Sequence, residues 1–234
     1  MKILRTVVDY LLSGPLVGGE QEARVNRWRN VPEADLARPH GAARYVVVAT
    51  ETTGLDMRRD RLIAVGAVGV AHGCLEFDDS FERVLRQDKA SADANILIHG
   101  IGGETQLSGV EPREAMIEFL EYLGKAPLVA FRAKFDRKVL ERSVRSILGY
   151  PFAHPWIDLA LLLPALFPRT GRISLDDWLA HFGLSGGTRH HALAGAFVTA
   201  QLLQIALDAA DRAGMANAAQ LIATQRAQQW LGDQ

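Results

Sequence analysis

The clearest pattern along the chain is a change in hydrophobic period. Residues 44–48 carry a β-branched run, Tyr45-Val46-Val47-Val48, which breaks at Ala49-Thr50-Glu51 into a polar Thr52-Thr53-Gly54 turn. Residues 61–70 (RLIAVGAVGV) form a second apolar run closed by a turn at Gly73, and residues 74–85 a third that alternates only in part. Runs of this kind predict strands, and their short connections predict an antiparallel meander. Past residue 90 the apolar spacing lengthens to that of helices. Helices are predicted over 90–98, over 112–123 with Met116, Phe119, Leu120 and Leu123 on one side, and over 134–148. Short apolar strands are predicted at 127–131 (PLVAF) and 155–158, the latter leading into a Leu-rich helix that ends near Pro168. Ser174 followed by Asp177 has the form of a capping box opening a helix to Phe182, and helices over 190–213 and 217–231 complete the chain.

A meander followed by strands that alternate with helices predicts an α/β fold: a mixed sheet, antiparallel first and then parallel, flanked by helices on both faces. Residues 1–43 predict an amphipathic helix, with Ile3, Val7, Val8, Leu11 and Leu12 on one face, and then an irregular arm. Gly14-Pro15, Gly18-Gly19, Pro32 and Pro39 interrupt that arm, and Trp28 is expected to anchor it to the main body. The expected organisation is an N-terminal helix and arm at 1–43, the main domain at 44–213, and a C-terminal helix at 214–234 packed on it.

Composition then narrows the function classes. A net charge of −1 over 234 residues excludes a global basic field, so contact with nucleic acid has to come from local patches. The single cysteine, Cys74, excludes an intrachain disulfide and a cysteine-rich zinc site and fits a cytoplasmic setting. Lys2 and Arg5 precede an apolar stretch, but Asp9 interrupts it; neither a signal peptide nor a membrane segment is predicted.

Candidate chemistry gathers where such sheets bind ligands, at the carboxyl ends of the strands. Glu51 ends the first strand, Asp136 follows the PLVAF strand, and His190 opens the long helix. Adjacent helical positions face different ways, so His190-His191 does not predict a zinc pair. Basic residues cluster at the same end: Arg132, Lys134, Arg137, Lys138, Arg142 and Arg145, with a second group at 58–61.

Five segments, in order, carry a family resemblance: Ala49-Thr50-Glu51-Thr52-Thr53-Gly54-Leu55; Ile98-His99-Gly100-Ile101; the PLVAF strand followed by Phe135-Asp136; Ser174-Leu175-Asp176; and His190-His191-Ala192-Leu193-Ala194-Gly195-Ala196. Together they resemble the DEDD-class, histidine-subtype 3′–5′ exonucleases, which include the proofreading ε subunit of bacterial DNA polymerase III. The resemblance covers residues 44–207 and implies an RNase H-like fold, Mg²⁺ or Mn²⁺ as cofactor, and the 3′ end of a single-stranded nucleic acid as partner. It implies catalytic roles for Glu51, Asp136 and His190. Contacts to nucleic acid are implied for Thr52, Thr53, Leu55, His99, Arg132, Lys134 and Phe135, with core packing the rival role for Phe135 and a satisfied loop histidine the rival for His99.

Two positions depart from the family pattern. Ala49 stands where the family has the Asp that bridges two metal ions, and Gly195 where it has a further metal-binding Asp. Two-metal hydrolysis needs oxygen ligands that hold the ions about 3.5–4 Å apart. Glu51 alone remains as a direct metal ligand, with Asp136 acting through water. General-base help from His190, typically about 10²–10⁴-fold, does not replace the ions. Weak or absent metal binding and impaired or absent cleavage are therefore expected, with Arg132 and Lys134 as fixed cations for phosphate. An active exonuclease with an atypical site and a protein-interaction scaffold are the alternatives. Asp158 is expected to cap the helix that follows it.

Overall fold

The computed structural model describes residues 19–168, 174–186 and 191–232. The three predicted meander strands are β1 (Arg44–Thr52), β2 (Leu62–Ala71) and β3 (Cys74–Val84). They are followed by two short helices, α2 (Asp93–His99) and α3 (Gly103–Leu107), and then by α4 (Pro112–Leu123), β4 (Leu128–Ala130) and α5 (Lys134–Leu148). Next come β5 (Trp156–Asp158), α6 (Leu159–Leu166), α7 (Leu175–His181), α8 (Ala192–Arg212) and α9 (Ala218–Gly232). The sheet order is β3-β2-β1-β4-β5. β1 pairs antiparallel with β2 and β2 with β3, whereas β4 is parallel to both β1 and β5. This is the mixed sheet that the change of period predicts.

Alternation along β1 sorts the core into two layers. Val46 and Val48 face α4 and α5, in a cluster with Met116, Phe119, Leu120, Val139 and Leu140. Tyr45 and Val47 face the opposite way, against Ile157, Leu162, Leu203 and Ala206. Both layers being covered explains why β2 is buried along nearly its whole length. α8 is long and apolar enough by length and composition to cross a membrane. In this fold it lies across β1, β2 and β3, and half of its apolar window is buried there.

The predicted amphipathic helix over the first residues lies outside the described part of the chain. The arm after it needs correction: 12 of its residues form a helix, α1 (Gly19–Asn30). Gly19 opens this helix, and Pro32 and Pro39 lie beyond its end. Glu20 and Glu22 in the first turn and Arg27 and Arg29 in the last suit the helix dipole. Val25 and Trp28, three apart, bury one face, and Arg24 bridges Glu114 and Glu121 of α4. Trp28 is the anchor expected of it. Its indole N–H donates to the Gly124 carbonyl at 2.6 Å, and the Lys125 ammonium sits 4.0 Å over its ring.

The capping box is present at α7, with Ser174 and Asp177 each accepting from the other's backbone. At the far edge of the sheet, Gln225 of α9 bonds β5 on both sides. Its carbonyl accepts from Asp158 N at 2.7 Å, and its amide donates to Trp156 O at 2.8 Å.

Candidate active site

The site is built around the end of β1. Ala49 packs with the α8 layer, whereas Thr50 turns toward α5. Asp136, in the first turn of α5, accepts from the Thr50 amide at 3.0 Å and from its hydroxyl at 2.8 Å. This pair locks the start of α5 onto the strand and uses one carboxylate oxygen twice. Burial pushes the Asp136 carboxyl up to about 6, against the lowering effect of those bonds. Glu51 is pushed up to about 7, first by burial and then by the charges of Asp136 and Glu82. Its electrostatic neighbours are other acids.

Across the sheet, Ala49 pairs with Gly66 and Gly66 with Glu82. The helix α8 comes down on this row. A Cβ on Gly66 would lie 2.0 Å from the Leu193 nitrogen, so only glycine lets the first turn of α8 approach so closely. A Cβ on Gly195 would lie 3.4 Å from that of Ala49, an ordinary packing distance. Positions 49 and 195 therefore face each other across the strand–helix junction. Glu82 reaches over Gly66 to the same helix end and accepts from the Leu193 amide at 3.3 Å.

The turn after β4 is organised by Asp158, which accepts from the amides of Arg132, Ala133 and Ala160, each at 2.9 Å. It caps α6, as expected, and also holds the turn that carries Arg132. Burial raises the Asp158 carboxyl despite those bonds. Arg132 adopts a left-handed backbone conformation, φ 59°, rare for a side chain of its size. Its guanidinium is exposed, 5.9 Å over the Phe131 ring. Lys134 is exposed at the start of α5.

Further along, the basic cluster is partitioned. Arg137 and Lys138 bond Glu141, and Arg142 donates to the Met57 and Asp60 carbonyls. Only Arg132 and Lys134 of the cluster are set at the turn itself.

Other expected contact residues divide similarly. Leu55 is 87% exposed at the tip of the loop after β1. Thr52 is buried and donates to Gly54 O, while the Thr53 hydroxyl donates to Asp60 and accepts from Arg61 N. Both hydroxyls shape the loop. Phe135 packs partly buried against the α4–α5 core layer. His99 needs correction as a residue lining the cleft: it is 1% exposed, its Nδ1 accepts from Ile101 N at 3.0 Å, and its Nε2 is 3.2 Å from Ser91 Oγ. Its desolvation lowers its pKa, in keeping with a neutral interior ring. His190 lies outside the described residues, and His191 is exposed at the N-cap of α8.

Among the described residues, no three of His, Cys, Asp and Glu are grouped to hold a metal ion. Of the acids near the strand end, Asp136 accepts twice from Thr50 through Oδ1, and Glu82 accepts from the Leu193 amide.

A model of the exonuclease family (RNase_T) matches residues 46–203. The chain belongs to the DEDD-class 3′–5′ exonuclease family. It is 32% identical over 162 residues to DNA polymerase III PolC-type of Thermotoga maritima, covering 69% of this chain and 12% of that protein. With the corresponding polymerase of Clostridium perfringens it shares 29% over 165 residues, 68% of this chain and 11% of that one. The chain thus spans about an eighth of the length of these curated relatives. Among solved structures, Exonuclease X in complex with 5′ overhanging duplex DNA superposes with a TM-score of 0.59 at 22% identity, covering 77% of this chain and 99% of that one. E. coli Exonuclease I in complex with a dA16 oligonucleotide gives 0.63 at 14%, covering 73% and 42%. These two likenesses support the fold, and with it the RNase H-like architecture.

For this family member, sequence reasoning missed Glu82 and Gly66. Glu82 lies in a partly alternating edge strand where an acid predicts solvent, and only the sheet order shows α8 lying across it.

Proposed function

We propose that this exonuclease-family protein binds the 3′ end of a single-stranded nucleic acid in the cleft beside Glu51 but cleaves it weakly or not at all. The supporting observation is that a Cβ on Gly195 would meet that of Ala49 at 3.4 Å: two positions without side-chain oxygen face each other where the family pattern places carboxylates. Mg²⁺ and Mn²⁺ are oxygen-seeking ions, and one half-buried glutamate does not replace a bridging pair. Around that gap the chain keeps the parts that hold a strand: the exposed Leu55 tip, and the Arg132 and Lys134 cations beside the turn. Guanidinium and ammonium groups bind phosphate without a metal.

The test is incubation of an end-labelled single strand with the protein in Mg²⁺ or Mn²⁺, beside a binding titration. Binding without 3′ shortening is expected. Shortening that disappears in Glu51→Ala overturns the reading.

One observation favours a second reading, an active enzyme with an atypical site. Glu82 shares the Ala49–Gly66 row and is close enough to act on the Glu51 charge, so a second acid stands near the vacated position. Under that reading, shortening would be present in the unaltered protein and lost in both Glu51→Ala and Glu82→Ala.

A further inference from the structure

On the α4–α5 side of the sheet, away from Ala49 and Gly195, lies a pocket of about 570 Å³ lined by five arginines. Arg58, Arg59 and Arg61 come from the loop between β1 and β2, Arg86 from the segment after β3, and Arg142 from α5. Its floor includes Leu62 and Leu85, both buried.

Two of these arginines are oriented without being neutralised. Arg142 donates to the carbonyls of Met57 and Asp60, which also pins the loop onto α5, and Arg61 donates to the Lys89 carbonyl at 3.4 Å. Carbonyl partners fix a guanidinium and leave its full charge for a ligand. Arg58, Arg59, Arg61 and Arg86 are exposed. The opposing acids are fewer. Asp88 and Glu111 line the pocket, but Glu111 accepts from Glu114 N as the N-cap of α4; Arg59 has Asp56 at 3.9 Å. An excess of guanidinium forks on an apolar floor suits phosphate groups spaced along a chain. Among the described residues no aromatic side chain lines the pocket, and these offer no surface for stacking bases. Leu62 pairs with Thr52, so the pocket begins where β1 ends and is joined to the cleft by the loop carrying Leu55.

We propose that this pocket is a second nucleic-acid site, which takes the sugar–phosphate backbone of the strand whose 3′ end occupies the cleft, a few nucleotides in from that end. This rests on the strand-binding reading above. Contact is with backbone only and is independent of base sequence.

The experiment compares labelled single strands of about four and about twenty nucleotides on the full chain. The proteins are the unaltered chain, the pocket double variant Arg58→Ala with Arg86→Ala, and a charge-matched control, Arg27→Ala with Arg212→Ala. All four substituted arginines are exposed. For the longer strand, the pocket variant is expected to lose about tenfold in affinity, and its slope of log affinity against log salt to flatten by about 1.4, the share of two phosphate contacts. The short strand and the control variant are expected to bind as the unaltered chain does. Equal binding of the long strand by all three proteins overturns the pocket proposal and leaves the cleft reading standing. Failure of the unaltered chain to bind either strand overturns both. If the pocket variant loses binding to a polyglutamate peptide while retaining the long strand, the proposal is overturned in favour of an acidic protein segment.

Discussion

Gly66 of β2 and Leu193 of α8 are in backbone contact, so close that a Cβ on Gly66 would sit 2.0 Å from the Leu193 nitrogen. Nothing flexible lies between them, because the neighbouring atoms at 2.2 and 2.5 Å are also backbone. Gly66→Ala must therefore lift the first turn of α8, and with it Gly195 and the Glu82 bond. Overpacking of this kind costs about 1–3 kcal/mol, and the rigid neighbour puts this site at the upper end. A urea unfolding series should show the midpoint falling with an unchanged slope.

The juxtaposition of Ala49 and Gly195 makes a second prediction. A Cβ added at Gly195 would meet that of Ala49 at 3.4 Å, an ordinary packing distance, so a side chain can be placed there without forcing the helix off the strand. The double variant Ala49→Asp with Gly195→Asp should gain Mn²⁺ affinity by calorimetry and metal-dependent 3′ shortening of a labelled strand. If neither appears, the reading of positions 49 and 195 as missing metal ligands is overturned.

Arg132 combines an unfavourable backbone with an exposed charge. A left-handed conformation costs a branched or long side chain about 1–2 kcal/mol, and Asn tolerates it better. Arg132→Asn should raise stability by about 0.5–1 kcal/mol in urea while weakening oligonucleotide binding. A variant that is more stable and binds less would separate strain retained for function from strain without purpose.

Acid should act on the other end of β1. Arg44 grips Asp79 with two bonds of 2.7 and 2.8 Å, and the Arg44 hydrogen bonds hold the Asp79 carboxyl below its ordinary value of 3.8. The folded state thus prefers the ionised acid: the pair's stabilisation is present above the unfolded value and is lost as pH falls through the lower folded one. Both side chains are about a third exposed, so solvent screening limits the effect to about 1 kcal/mol. Asp79→Asn should lower the urea midpoint at pH 7, by an amount that shrinks as the pH is taken down through the carboxyl's folded value.

Much of this architecture was legible because burial leaves a period in the sequence. The β-branched runs at 45–48 and 62–70 and the α4 stripe through Met116, Phe119 and Leu120 predict the elements found. Contacts between distant segments leave no such trace. Glu82, on a partly alternating strand, gives no sign of its bond to α8, and His99 reads equally as a cleft residue or a satisfied loop histidine until Ser91 and Ile101 are seen around it. The helix at 19–30 was hidden by the glycines and prolines on either side of it, although its acidic start, basic end and Val25–Trp28 spacing were present. The family motifs gave the positions of Ala49 and Gly195; that the two face each other is a matter of tertiary packing.

Gln225 gives the sheet a boundary. By donating to Trp156 O and accepting from Asp158 N, one amide side chain occupies on β5 the bonds that another strand would make. Removing the C-terminal helix would leave that edge open at both bonds, next to the buried Ile157. A shortened chain would then be prone to recruit a strand from a neighbour, and its first symptom would be self-association rather than unfolding.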